Sequence, residues 1–296
     1  MGLRTNPTQR QRRLGQELRK LRDASGLSAG EAGAAVGLGG PHLGHIERAR
    51  TAIPEGKLRT LAAKYGCQDK PYIEALVAMG NASGRGWWHE YRKVMDSRAL
   101  DLAELEDSAL AHRTFQWLYI PGLLQTEEYT RALFQAPTAE SDLKAFERQV
   151  EFRLRRQRVL TSSNPPMLHA VIHEAALHMG FVEAAIMRRQ LEHLLVAAEL
   201  PNVRIQFLPF KAKANPEVRG VPFSIFEASV PQLNTVYVEH PVSSLCLGDT
   251  AHLAEYARTF ENLSSAALPP LDPEPAHVSY TEADSLRLVQ HMLYVL

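Results

Sequence analysis

Four residues invite a metal reading: His169, His173, Glu174 and His178. A zincin-type pair needs imidazoles at i and i+4 with a Glu between them, so that both face one side of a helix. Here His173 and His178 stand at i and i+5, about 100° out of line on a helix, and His169 and His173 fall on a stretch that reads as a strand. Structural or surface histidines are the expectation. No GxSxG, P-loop or GxGxxG following a strand is present, so catalytic residues, cofactor and metal are not expected.

A basic set points elsewhere. Arg12, Arg13, Arg48, Arg50 and Lys57 have the chemistry for phosphate contacts, which supply affinity rather than sequence preference. Between them, a helix beginning Gly39-Gly40-Pro41-His42 is expected to turn Gly40, His42, Gly44 and His45 outward. None of these offers the bidentate Arg–guanine or Gln/Asn–adenine pairing that discriminates bases strongly. His42 and His45 can donate to a base acceptor or a phosphate. Two readings stand: small residues let backbone and His side chains approach a duplex closely, or a recognition helix has lost base readout.

The elements that must position these residues lie between Leu14 and Tyr65. Leu14, Leu18 and Leu21 make a stripe on a first helix, about Gln11 to Ala24, stopped by Ser25-Gly26. Ser28 with Glu31 is a capping box opening a second helix that carries Ala32 and Val36. Gly37-Leu38 turns the chain, and Leu43 and Ile46 anchor the third helix. A small residue at the crossing, a turn residue tolerant of positive φ and two apolar anchors are what a helix-turn-helix requires. Pro54 and Pro71 begin the fourth and fifth helices, and Gly80 to Gly86 reads as a linker.

Charge supports the division. Residues 1–65 hold 12 Arg and Lys against 5 acids, a net +7; the remainder holds 21 against 28, a net −7. A basic small domain joined to an acidic larger one suggests a polyanion partner for the first alone. Two distant cysteines, Cys67 and Cys246, offer no disulfide framework, no apolar run reaches membrane-spanning length, and the start lacks a signal peptide. A cytoplasmic, nucleoid-associated protein with no membrane partner is expected.

Beyond Trp87-Trp88, a helix from about Leu100 precedes a β-favouring Trp117-Leu118-Tyr119-Ile120. Thr126 caps a helix ending near Phe134, and a long helix runs from about Ser141 to Leu160. Its Arg148, Arg153, Arg155, Arg156 and Arg158 read as a solvated face, with a patch for DNA or an acidic partner the alternative. Trp87, Trp88, Trp117 and Tyr119 read as plain core, with a ligand pocket the alternative. Strands are expected at Met167–His173, Val203–Leu208, Phe223–Glu227 and Thr235–Glu239, with a short fifth near Ser243–Leu247. Helices are expected at Glu183–Leu200 and Thr250–Leu263, and an amphipathic helix from Thr281 to Leu296. The expected fold class is an all-α, five-helix helix-turn-helix domain followed by a larger α+β domain with a mixed sheet of about five strands. The expected bounds are 1–80 for the first domain, 81–86 for the linker and 87–268 for the second domain. A Pro-rich linker and terminal helix fill 269–296.

Leu18-Arg19, Leu27-Ser28, Ala32, Val36-Gly37-Leu38, Leu43 and His45-Ile46-Glu47 resemble the phage-repressor-like helix-turn-helix regulators of the xenobiotic response element class. That resemblance implies a structural ion pair between Arg19 and Glu47, and double-stranded DNA as partner. Ile120-Pro-Gly-Leu-Leu-Gln-Thr-Glu-Glu-Tyr129, Arg153, Arg156-Gln157, Glu174, Gln190-Leu191, Phe223 and Val236-Tyr-Val-Glu239 look like the C-terminal domain of WhiJ-like actinobacterial regulators. This implies a developmental or antibiotic-linked transcription regulator whose C-terminal domain senses a ligand or a small protein partner, acidic or encoded by an adjacent gene. A homodimer is expected, since one small helix-turn-helix reads few bases. The alternative is an antitoxin-like or sequestering interaction module with vestigial DNA reading; a ligand-processing enzyme in the second domain ranks third.

Overall fold

The computed structural model describes residues 3–135, 140–212, 221–240, 244–273 and 284–296. They form two compact units, Met1–His89 and Glu90–Leu296. The division falls just past the expected linker, so Trp87 and Trp88 belong with the first unit.

The first unit is five helices: α1 Gln9–Ser25, α2 Ala29–Ala34, α3 Gly40–Glu47, α4 Glu55–Lys64 and α5 Lys70–Asn81. Each boundary has a local cause. Thr8 and Gln11 form a capping box on α1, and Ser28 and Glu31 form the expected one on α2. Gly26 closes α1 at φ +74°, and Gly37 takes φ +64° in the turn before α3, a conformation that costs a side-chain-bearing residue about 1 kcal/mol. Pro41 and Pro71 sit in first turns, where a missing N–H leaves no bond unmade. Helix α1 packs on α3 and α5, and α2 on α3. Leu18, Ala32, Leu43, Leu61 and Leu76 are fully buried in this core.

The second unit is α+β. Its described elements are α6 Ser97–Ser108, β1 Ala111–Gln116, α7 Glu127–Phe134, α8 Glu140–Gln157, β2 Met167–His173, α9 Ala184–Ala198, β3 Val203–Leu208, β4 Phe223–Glu227, β5 Thr235–Glu239, β6 Ser244–Leu247, α10 Thr250–Ala266 and α11 Ser285–Val295. The six strands run in the order β3-β2-β1-β4-β5-β6. Strands β1, β2 and β3 are parallel; β4, β5 and β6 add antiparallel beyond β1. Crossovers through α7–α8 and α9 account for the parallel half.

One expectation needs correction here. The strand placed on Trp117–Ile120 is β1, one step upstream. Its His112, Thr114 and Gln116 alternate with Arg113 and Phe115, so no apolar run announces it. Within the stretch 269–296, read as a Pro-rich linker and an amphipathic helix expected to dock, the described residues pack on the second unit. Leu268 and Leu271 donate backbone N–H bonds to the carbonyls of Phe207 and Ile205, covering the free edge of β3. Ser285 Oγ donates to Pro269 O (2.6 Å) and accepts from Phe207 N–H (3.3 Å), and Val289 and Met292 of α11 are buried in the core beneath α9. Residues 274–283, including the expected helix start at Thr281, and Ser243 lie outside the described residues.

Candidate functional site

The first candidate surface is built on α3 and its exit. His42, Arg48 and Arg50 are exposed, and His45 and Lys57 half-exposed. The exit has a specific geometry: Ala49 takes φ +60°, its N–H bonds Ile46 O, and Arg50 N–H bonds His45 O. This is a Schellman closure with Ala where Gly is usual. Ala49 itself is buried, while Arg48 and Arg50 on either side of it remain exposed. The chain before α1 is fastened to the same turn, with Arg4 N–H donating to Arg50 O (2.8 Å) and Arg4 Nη1 to Ala49 O (3.3 Å).

What sets these cations apart is the absence of acids. Among the described residues, Arg48, Arg50 and Lys57 have no carboxylate within ion-pair distance. Arg19 pairs with Asp23 and Arg59 with Glu55 and Glu74. Unneutralised guanidinium and ammonium groups beside an exposed helix face are what phosphate contact requires. Arg12 is exposed and donates to Pro7 O (2.5 Å).

Several expected site residues are placed otherwise. Arg13 is buried, its Nε 2.8 Å from Glu17 Oε1, and Glu17 Oε2 accepts from Tyr72 OH at 2.6 Å. It therefore ties α1 to α5 and does not reach a phosphate. Glu47 pairs with Arg22, not Arg19: Nε–Oε1 is 2.6 Å and Nη2–Oε2 3.1 Å. Arg22 lies four residues after Leu18 and continues the buried stripe, whereas Arg19 is a single step, about 100°, away. Gly44 is buried, under the Arg48 guanidinium. A Cβ on Gly40 would come within 3.2 Å of the Gly30 backbone, so its smallness serves the α2–α3 approach.

The second candidate lies in the other unit, between α8 and one face of the sheet. On the β2–β3 side that face is apolar: Leu168, Ala170, Ile172, Ile205 and Phe207. On the β1–β4–β5 side it is polar. Register places Thr114 beside Ser224 and Ser224 beside Tyr237, with Ser224 Oγ donating to Thr114 Oγ1 at 2.9 Å. Above this row are two adjoining cavities of about 320 and 560 Å³ that share Gln116, Arg153, Arg156 and Tyr237 in their walls. Arg156 makes a buried bidentate pair with Glu106 (2.7 and 2.5 Å). Arg153 has no carboxylate partner among the described residues. Its hydrogen bond is a 3.3 Å contact to Gln125 Oε1, and its guanidinium lies 5.0 Å over the Phe134 ring. Burial and the neighbouring Arg156 charge bring its pKa down to about 10.

A family model described as a domain of unknown function, DUF5753, matches residues 99–273, more than half of the chain. The chain belongs to the DUF5753 family. A helix-turn-helix domain model matches residues 13–73, so the first unit is a helix-turn-helix domain of the kind that binds DNA. No curated protein and no solved structure matches the chain.

In the DUF5753 domain the histidines of the metal reading are dispersed. His169 Nε2 meets Gln206 Oε1 at 2.6 Å, and His173 Nδ1 accepts from Ala175 N–H. No group of three or more metal-ligating side chains occurs among the described residues. His112 Nε2 donates to Glu106 O at 3.0 Å, which leaves Nδ1 bare, and that atom is buried without a partner. Burial holds the His112 pKa below its usual 6.5. The unfolded chain then takes up the proton first, so this contribution to stability is complete above pH 6.5 and lost as pH falls. Thermal unfolding followed from about pH 7.5 to about pH 5 should show a falling midpoint, and His112→Gln should flatten that fall. An identical slope in the variant would refute the assignment.

Trp117 and Tyr119 line the larger cavity and are about two-fifths exposed, so they belong to the cleft rather than the core. Arg153 and Arg156 depart from the solvated face expected of α8. A row of polar side chains at alternate positions of β1 was the available signal, and the misplaced strand hid it.

Proposed function

We propose that this chain is a DNA-binding transcription regulator, not an enzyme, in which the DUF5753 domain senses a ligand or a small protein partner. The observation that carries the reading is the exposed face of α3 with its exit, where His42, Arg48 and Arg50 stand without neutralising acids among the described residues, on a domain matched as helix-turn-helix. A homodimer engaging two half-sites about 34 Å apart fits one small reading head per chain. The resemblance to xenobiotic-response-element-type and WhiJ-like regulators supports an actinobacterial developmental or antibiotic-production role. Gly40 packs against the Gly30 backbone, so its smallness has a reason other than lost DNA reading; the sequestering alternative stays the second reading. In the cell the first reading places the protein on the nucleoid.

Genome-wide recovery of DNA crosslinked to the full chain, with co-purified proteins identified, tests this reading. Discrete enriched sites with paired half-sites are expected. Recovery of a protein partner with no enriched DNA would favour sequestration instead.

A further inference from the structure

The cleft of the DUF5753 domain has features that a packing surface lacks. A sheet face beneath a helix is ordinarily apolar. Here its β1–β4–β5 part presents Thr114, Gln116, Ser224 and Tyr237, and α8 lowers Arg153 and Arg156 toward it. The two arginines are unequal. Arg156 is saturated by Glu106, both of whose oxygens it binds. Arg153 carries five N–H donors and uses one of them, weakly, among the described residues. Its fork stands where Gly122 leaves room: a Cβ there would lie 2.6 Å from Arg153 Nη1.

Arg153 is half-buried, and Glu106 and Glu239 lie near enough to favour its charge but not to pair with it, so its fork is open to an anion. Arg is suited to a planar, two-oxygen acceptor, because its fork binds carboxylate by two parallel bonds. Around it the lining is mixed. Phe134, Leu102 and Tyr119 supply apolar and aromatic surface, and Tyr237, whose phenol burial pushes up to about 12, stays protonated as a donor. The smaller cavity is also lined by His112, whose bare Nδ1 is an acceptor without a donor. The cavities are of the size that takes a small organic molecule.

We infer that this cleft binds a small organic acid: a carboxylate seated on Arg153, an apolar or aromatic body against Phe134 and Tyr119, and a hydroxyl or amine donor for His112 Nδ1. This rests on the sensing role proposed for the DUF5753 domain only in its regulatory consequence; the binding itself stands on the geometry of the cleft.

The test uses the full chain and a panel of aryl and alkyl carboxylic acids, 4-hydroxyphenylacetate among them. The matching primary amides and inorganic phosphate serve as the other arms. At concentrations about ten times the dissociation constant, an acid should raise the unfolding midpoint by about 3 °C or more, and its amide should not. Arg153→Met keeps the apolar stem, and titration calorimetry should then show at least about tenfold weaker acid binding. Circular dichroism of the variant checks that it is folded. Should it not fold, Arg153→Lys, which keeps the cation but not the two-bond fork, should weaken the acid and leave the amide without effect.

Equal responses to acid and amide would overturn the inference, as would a response to phosphate alone or no response to any acid. The regulatory reading is scored separately, by the affinity of the full chain for a duplex with and without the acid. An acid that binds through Arg153 and leaves DNA affinity unchanged keeps the site and removes the sensing role.

Discussion

Replacing Arg48 and Arg50 together by alanine should lower the affinity of the full chain for a generic duplex about fiftyfold at roughly 0.1 M salt. The plot of log K against log salt should lose about 1.8 of its slope, near 0.9 for each phosphate contact removed. Both side chains are exposed, and neither has an ion-pair partner among the described residues, so the fold has little to lose. Arg13→Ala is the informative contrast. That side chain is buried against Glu17, so its loss should reduce stability and leave the salt slope of the folded protein unchanged. Fluorescence anisotropy across a salt series reads both. An unaltered slope in the double variant would remove Arg48 and Arg50 from the interface.

The second large effect concerns the clamp that holds α3 in place. Glu47 is buried at the end of α3, and Arg22 of α1 binds both of its oxygens at 2.6 and 3.1 Å. Breaking a buried pair from one side leaves an uncompensated charge and costs about 3 kcal/mol or more. Glu47→Ala should therefore depress the unfolding midpoint of the helix-turn-helix unit by about 12 °C or more, at the ~4–8 °C per kcal/mol typical of a domain this size. Arg22→Ala should do nearly the same. Arg19→Ala, which removes an exposed pair with Asp23, should stay within about 0.5 kcal/mol of the parent. A double variant of Glu47 and Arg22 with two apolar residues should recover part of the loss. Calorimetry on the four proteins decides it, and a larger effect at Arg19 than at Arg22 would contradict the structure.

These two cases show what the sequence makes legible. Apolar periodicity and capping chemistry locate the five helices, and Gly37 marks the turn, because each depends on residues close in the chain. Four strands are legible to the residue for the same reason: they are short, β-branched or aromatic, and bounded by turn residues. Long-range polar pairing is not. Whether Arg19 or Arg22 meets Glu47 turns on a difference of about 60° around α1, three residues at about 100° each, and the resemblance to a family specifies a partner type without that angle. Arg13 looks like a surface cation until Tyr72, 59 residues later in the chain, places its hydroxyl on Glu17.

The cleft was the least visible part. Its polar floor lies on a strand without an apolar signature, and α8 turns arginines of two kinds toward it. The stripe of Phe146, Val150 and Leu154 fixes the helix but not which arginines flank it. In the terminal segment the amphipathic helix is legible, but the edge cover before it is not. Proline-rich composition at Pro269 and Pro270 suggests a linker, yet the neighbouring Leu268 and Leu271 keep the N–H groups that cap the edge of β3.

The central claim is that α3 and the Ala49 turn form the surface that meets DNA. Photocrosslinking of the full chain to a bromodeoxyuridine-substituted duplex, followed by peptide mapping, tests it most directly. The account expects crosslinked peptides spanning His42 to Arg50. Crosslinks confined to the DUF5753 domain, or to the Arg19 face of α1 alone, would contradict it.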